Sequence, residues 1–157
     1  SALVNVPLRQ DLAITGSLNQ YGQVQAIGGV NEKIEGFFNV CSARGLTGTQ
    51  GVIIPKSNVI NLMLSDEVIE AVEAGKFYVY AIENADEALH LLTGIEPGVQ
   101  DAEGNYPEGT LSNMVLNRLE EISKLGHEDD EESEDESDKE KAKSDKDKSD
   151  IGSSSLS

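Results

Sequence analysis

Between His127 and Ser157 the chain carries 13 acidic and 5 basic residues, with Ile151 and Leu156 its two large aliphatics. Such a stretch cannot bury enough apolar surface to offset the entropy of ordering it, and it is expected to be disordered. What folds must fold within the first 126 of the 157 residues. That length suits one hydrophobic core and is too short for two well-developed ones. The expected layout is a domain over residues 1–94, a loop and helix extension over 95–126, and an acidic tail over 127–157.

Charge and composition remove several classes. The formal net charge is -17, and a surface of that sign repels phosphate backbones and anionic headgroups, so neither a nucleic-acid nor a membrane partner is expected. No apolar run approaches the roughly 20 residues of a membrane span, and a cytoplasmic protein is expected. Cys41 stands alone, which rules out an internal disulfide or a cysteine-rich zinc site. His90 and His127 are too far apart to nucleate a metal cluster, so no metal is expected. The chain opens at Ser1 without the basic, apolar and small-residue regions of a signal peptide, and reads as a fragment or processed product.

The hydrophobic pattern predicts an α+β fold, a mixed sheet with packed helices. Loose alternation over Asp11–Asn19 and the run Val24–Ile27 read as a hairpin bent near Gly22. Asn31 is a candidate N-cap, followed by Ile34, Phe37, Phe38 and Cys41 at i, i+3, i+4 and i+7, the spacing of one helical face. Gly45 is placed to end that helix in a left-handed conformation. Val52–Ile54, closed by Pro55, reads as a buried strand, and Lys56, Ser57 and Asn58 as a turn. A second helix is expected from Ser65 to Gly75, a strand over Phe77–Ile82, a third helix over Ala85–Leu92 ended by Gly94, a loop over 95–109, and a last helix over Thr110–Leu125.

Few residues offer chemistry. Lys33 falls in the first turn of the expected helix, where unpaired N–H groups and the macrodipole disfavour an ammonium. Facing inward, it would be pushed towards its neutral amine by dipole and desolvation together, and a neutral amine can act as a general base. Facing outward, it is an ordinary solvated lysine compensated by Glu32 or Glu35. Thr15 reads equally as a β-branched residue filling a pleat. Gly28 and Gly29 precede a helix, but no Gly-x-x-x-x-Gly-Lys-Ser/Thr or Gly-x-Gly-x-x-Gly pattern exists, so no nucleotide is expected on this chain. Cys41 lies on the apolar face as a core thiol, His90 among leucines at a core edge, and Asp101, Glu103 and Glu108 do not fit a calcium loop.

Four elements in order, Leu12-Ala13-Ile14-Thr15-Gly16-Ser17-Leu18, Gly22-Gln23-Val24, Ile27-Gly28-Gly29-Val30-Asn31-Glu32-Lys33 and Ile54-Pro55-Lys56-Ser57-Asn58, resemble the proteolytic domain of the Lon family of ATP-dependent serine proteases. The resemblance covers about residues 1–94, roughly the C-terminal two-thirds of such a domain. It implies a serine-lysine dyad with Lys33 as the dyad lysine and Thr15 in a supporting place as a hydrogen-bond partner of that lysine. It also implies a nucleophilic serine upstream of the Val6-Pro7-Leu8 segment, so that Ser1 and Ser17 do not fill the role and the chain alone is inactive. ATP and magnesium would belong to a separate ATPase module, substrates would be proteins or peptides, and the whole protein would form a homo-oligomeric ring. Two departures, Gln25-Ala26-Ile27 where a proline usually precedes Gly-Gly and the longer link over Leu46–Gly51, resemble a divergent Lon-like branch. The competing expectation is a non-catalytic interaction module with an acidic partner-binding tail.

Overall fold

Three apolar runs that lie far apart in sequence meet as one parallel sheet. In the computed structural model, which describes residues 1–125, β1 (Leu12–Ile14), β4 (Gly51–Pro55) and β5 (Tyr78–Ile82) pair in the order β1-β4-β5. Leu12 stands opposite Gly51 and Gly51 opposite Tyr78, so β4 runs down the middle. All five of its residues are buried. Successive side chains of a strand point to opposite faces, and the two faces of β4 serve different clusters.

On one face Val52 and Ile54 pack with Val30, Ile34, Phe38 and Cys41 of helix α1 (Val30–Arg44), with Val68 and Ala71 of helix α2 (Asp66–Glu73), and with Phe77. The Phe77 ring meets Phe38 edge-on at 5.2 Å between centroids and lies tilted 6.3 Å from Phe37. Each Val, Ile or Phe side chain buried here contributes about 1.5–3 kcal/mol. On the other face Ile53 packs with Leu12, Ile82 and Ala88, the last from helix α3 (Ala85–Thr93). Asn84 caps α3 by accepting from the Glu87 N–H, and the Glu87 carboxylate accepts in return from the Glu83 N–H. Gly94 ends it in the left-handed region.

The expected hairpin is corrected in its first arm. Residues 11–19 break at Thr15 and Gly16: β1 joins the parallel sheet, and only β2 (Ser17–Leu18) turns back on β3 (Val24–Gln25). The bend uses a left-handed Gly22, φ 74°. Helix α1 starts earlier than expected, with Gly29 rather than Asn31 at its N-cap. Gly45 closes it at positive φ, 91°, but with ψ of 121°, outside the left-handed helical region. Lys56 to Asn61 form a six-residue 3-10 helix instead of a simple turn. Ser65 occupies the N-cap of α2 without a side-chain cap.

The chain divides into two units, residues 1–113 and 114–157. Late in the first, Asp101 Oδ1 accepts from the Glu103 and Asn105 N–H groups and so shapes its own loop. Among the described residues of the second, 114–125 are helical, with Leu116, Leu119, Ile122 and Leu125 exposed. No helix among the described residues is long and apolar enough to cross a membrane. The acidic stretch expected to be disordered lies outside the described residues.

Candidate active site

Parallel strands end on the same side of their sheet, and the connections that leave their C-terminal ends are the usual site of function in such sheets. Thr15 leaves β1 there, its N–H donating to Ile53 O at 3.0 Å. Lys56, Ser57 and Asn58 leave β4 there, and Glu83 leaves β5. The β2/β3 hairpin lies over this edge, tied by Val24 N–H to Glu83 O and by Ala85 N–H to Gly22 O.

Two depressions flank the hairpin. The apolar one, about 540 Å³, is lined by Thr15, Leu18, Val24, Ile82, Leu89 and Leu92 among others. A mixed one of the same size is lined by Asn19, Gln23, Gln25, Lys56, Ser57 and Glu83 together with Val24 and Ile82. Within it Lys56 Nζ donates to Glu83 Oε1, and this carboxylate raises the Lys56 pKa above the ordinary lysine value.

Lys33 sits in the first turn of α1, where its N–H donates to Gly29 O. Gly29 itself turns left-handed, φ 68° and ψ 29°, a conformation that a residue with a Cβ adopts at a cost. The Lys33 side chain is exposed and makes no hydrogen bond or ion pair among the described residues. No hydrogen bond joins it to Thr15. Glu35 does not compensate it, because Glu35 Oε1 accepts from the Ser65 N–H. Glu32 forms no ion pair with it either, and its carboxylate oxygen lies 3.6 Å from where a Cβ on Gly29 would stand.

The start of α1 is fastened from the side. Asn31 Nδ2 donates to Asn61 O at 3.3 Å and Asn31 Oδ1 accepts from the Met63 N–H at 3.0 Å. Asn58 Nδ2 donates to Ile27 O at 2.9 Å while its Oδ1 accepts from the Ile27 N–H at 3.0 Å. The Gly-Gly-x-x-Glu-Lys element and the segment after β4 are thus one stitched assembly. These fastenings escaped the sequence reading. Their one trace there is the spacing of Asn31 and Glu35, four residues apart on one side of the helix.

The remaining sequence candidates are structural here. Cys41 is buried, and desolvation raises its thiol pKa above the usual value. His90 Nδ1 lies 3.2 Å from Ile95 O, past the end of α3. No group of three or more His, Cys, Asp or Glu residues among the described residues could hold a metal ion.

Comparison with known proteins shows the family. The sequence profile of the Lon protease C-terminal proteolytic domain matches residues 1–93. A Lon protease homolog of Haemophilus influenzae is 48% identical over 122 residues, 76% of this chain and 20% of its own length. A Lon protease homolog of Escherichia coli K12 is 48% identical over 124 residues, 79% of this chain and 20% of its own length. The archaeal Lon protease of Thermococcus kodakarensis is 40% identical over 91 residues, 58% of this chain and 12% of its own. The chain thus spans about a fifth of the two bacterial relatives or less of the archaeal one, and the bacterial matches are longer than the profile's. It belongs to the Lon protease family, through the C-terminal proteolytic domain.

Proposed function

We propose that this chain supplies the lysine half of a serine-lysine dyad in an ATP-dependent endopeptidase. What supports the reading is the Lon proteolytic-domain profile over residues 1–93, within which a left-handed Gly29 starts α1 and Lys33 follows one turn later. The Lys33 amine takes the proton of a serine hydroxyl as that oxygen attacks the scissile carbonyl carbon. The ammonium so formed gives the proton to the departing amine, leaving an acyl-enzyme that water then hydrolyses by the same base. Thr15 stands at the end of β1 as the supporting hydroxyl. The serine belongs to a part of the protein upstream of the matched residues.

We assign no ATP site to this chain. The phosphate-cradle sequence patterns are missing. Nucleotide and magnesium belong to a separate module of the whole protein, and no proteolytic step of this chain passes through them. Substrates are proteins or peptides, the assembly is a homo-oligomeric ring, and the compartment is the cytoplasm.

The test is Lys33→Ala in the longer protein that contains this chain. Peptide hydrolysis should fall by about 10²–10⁴-fold, the share that general acid-base catalysis supplies, while ATP hydrolysis persists. Peptidase activity near the unaltered rate would remove Lys33 from the mechanism.

A further inference from the structure

Asn58 closes the Ile-Pro-Lys-Ser-Asn element and has no part in the dyad chemistry. Among the described residues it is the one buried polar side chain, 4% exposed. Both ends of its amide are spent on a single residue, Ile27, 31 positions away: it donates to the carbonyl and accepts from the N–H. A neighbouring strand makes this same double exchange in an antiparallel pair, so one side chain here does the work of a strand partner.

Ile27 is the last residue before Gly28-Gly29. From it the backbone passes through the left-handed Gly29, enters α1 at the buried Val30, and reaches Lys33, whose N–H closes the first helical bond on Gly29 O. The anchor therefore fixes the point from which the turn, the helix start and the lysine are launched. The neighbouring bonds of Asn31 and Glu35 to residues 61, 63 and 65 hold the flank of α1 but leave Ile27 untouched.

We infer that Asn58 is a positioning residue for Lys33, holding the Gly-Gly turn so that the lysine amine is presented at a fixed place to the group it deprotonates. The inference rests on the reading of Lys33 as the dyad lysine. Residue type follows from the geometry: an aspartate accepts from the Ile27 N–H but has no proton for its carbonyl, and an alanine serves neither.

The experiment uses the longer protein with Asn58→Ala and Asn58→Asp, measuring kcat and KM for peptide hydrolysis across pH together with the melting temperature. Val68→Ala, a truncation in the core under α2, supplies the baseline for lost stability alone. Loosening the turn should lower kcat by about tenfold or more in Asn58→Ala, leave KM within about twofold, and move the acid limb of the kcat profile by about half a pH unit or more. Asn58→Asp, with one of the two bonds kept, should fall between Asn58→Ala and the unaltered protein. It carries the same test of the limb should the alanine variant fail to fold. Val68→Ala should leave the limb in place. An acid limb unmoved in the Asn58 variants, with activity falling only as the folded fraction falls, would overturn the positioning role. Wild-type peptidase in Lys33→Ala would instead overturn the dyad reading beneath it, so the two failures are distinct.

Discussion

Alanine at Gly51 and alanine at Gly36 should move stability in opposite directions. A Cβ built on Gly51 stands 2.6 Å from Tyr78 O, 3.0 Å from Tyr78 Cβ and 3.1 Å from Tyr78 C. The oxygen and carbonyl carbon are backbone atoms of the paired strand, and they cannot swing aside as a side-chain tip would. Nor can β4 retreat, because the Gly51 N–H donates to Asp11 O at 3.1 Å on its other side. A relaxed carbon–oxygen contact needs about 3.3 Å, so roughly 0.7 Å has to be opened between β4 and β5. Overpacking of this kind costs about 1–3 kcal/mol, and stretching the Tyr78 N–H to Gln50 O bond adds up to about 1 kcal/mol. The lower chain entropy of unfolded alanine returns about 0.4–1 kcal/mol, leaving a net loss of about 2 kcal/mol at the middle of these ranges. Gly36 lies inside α1 with nothing within 4 Å of its built Cβ, so alanine there should gain about 0.8–1 kcal/mol of helix propensity. Urea midpoints of the two variants, at unchanged m-value, read both effects. A Gly51→Ala chain as stable as the original would refute the close approach of β4 and β5, and a destabilised Gly36→Ala would refute the open helix face.

Two further expectations concern charge. Arg9 donates to both Asp11 oxygens, at 3.0 and 2.7 Å, and this lowers the Asp11 carboxyl pKa from 3.8 to about 2. The folded value lies below the unfolded one, so the stabilisation is present above the ordinary carboxyl range and is lost as pH falls through about 2. The pair is partly solvated, which limits it to about 1 kcal/mol or less. Acid unfolding between about pH 4 and 2 should accordingly be shallower in Arg9→Ala, and an identical curve would show that the pair contributes nothing. Deleting His127–Ser157 should leave the melting temperature within about 2 °C, because a stretch with two large aliphatics has little apolar area to bury. A larger fall would mean that the segment docks.

Helix α1 was legible because its stripe of Ile34, Phe38 and Cys41 is set by the helical period alone, and all three are buried. Its start was not, because the asparagine that looked like a cap is committed to Asn61 and Met63, partners that only the tertiary fold supplies. A similar limit applies to residues 11–19. Alternation reports that a strand has an inside and an outside, and says nothing about which strand lies beside it. Leu12 to Ile14 pair with a strand nearly forty residues later, whereas Ser17 and Leu18 pair with the near one. The Gly-Gly and Ile-Pro elements were visible as a family pattern, but the bond that makes them one object, Asn58 to Ile27, leaves no mark in either.

That bond also joins elements that lie far apart in sequence. Parallel pairing forces the exits of β1 and β4 onto one edge, which brings Thr15 and the Lys56-Ser57-Asn58 segment to the same side of the sheet. Lys33 is not brought there by the sheet, since α1 begins after the hairpin and leads away along the face that Val52 and Ile54 cover. Its start is recruited by side chains: Asn58 takes Ile27, and Asn31 and Glu35 take the backbone of residues 61–65. A chain with the same strands and the same helix but without these side-chain bonds would keep its core. It would lose up to about 1–3 kcal/mol for each part-buried polar group of Ile27 left unpaired, and with it the fixed launching point of the lysine. The sheet accounts for where Thr15 stands, and a handful of hydrogen bonds accounts for where Lys33 begins.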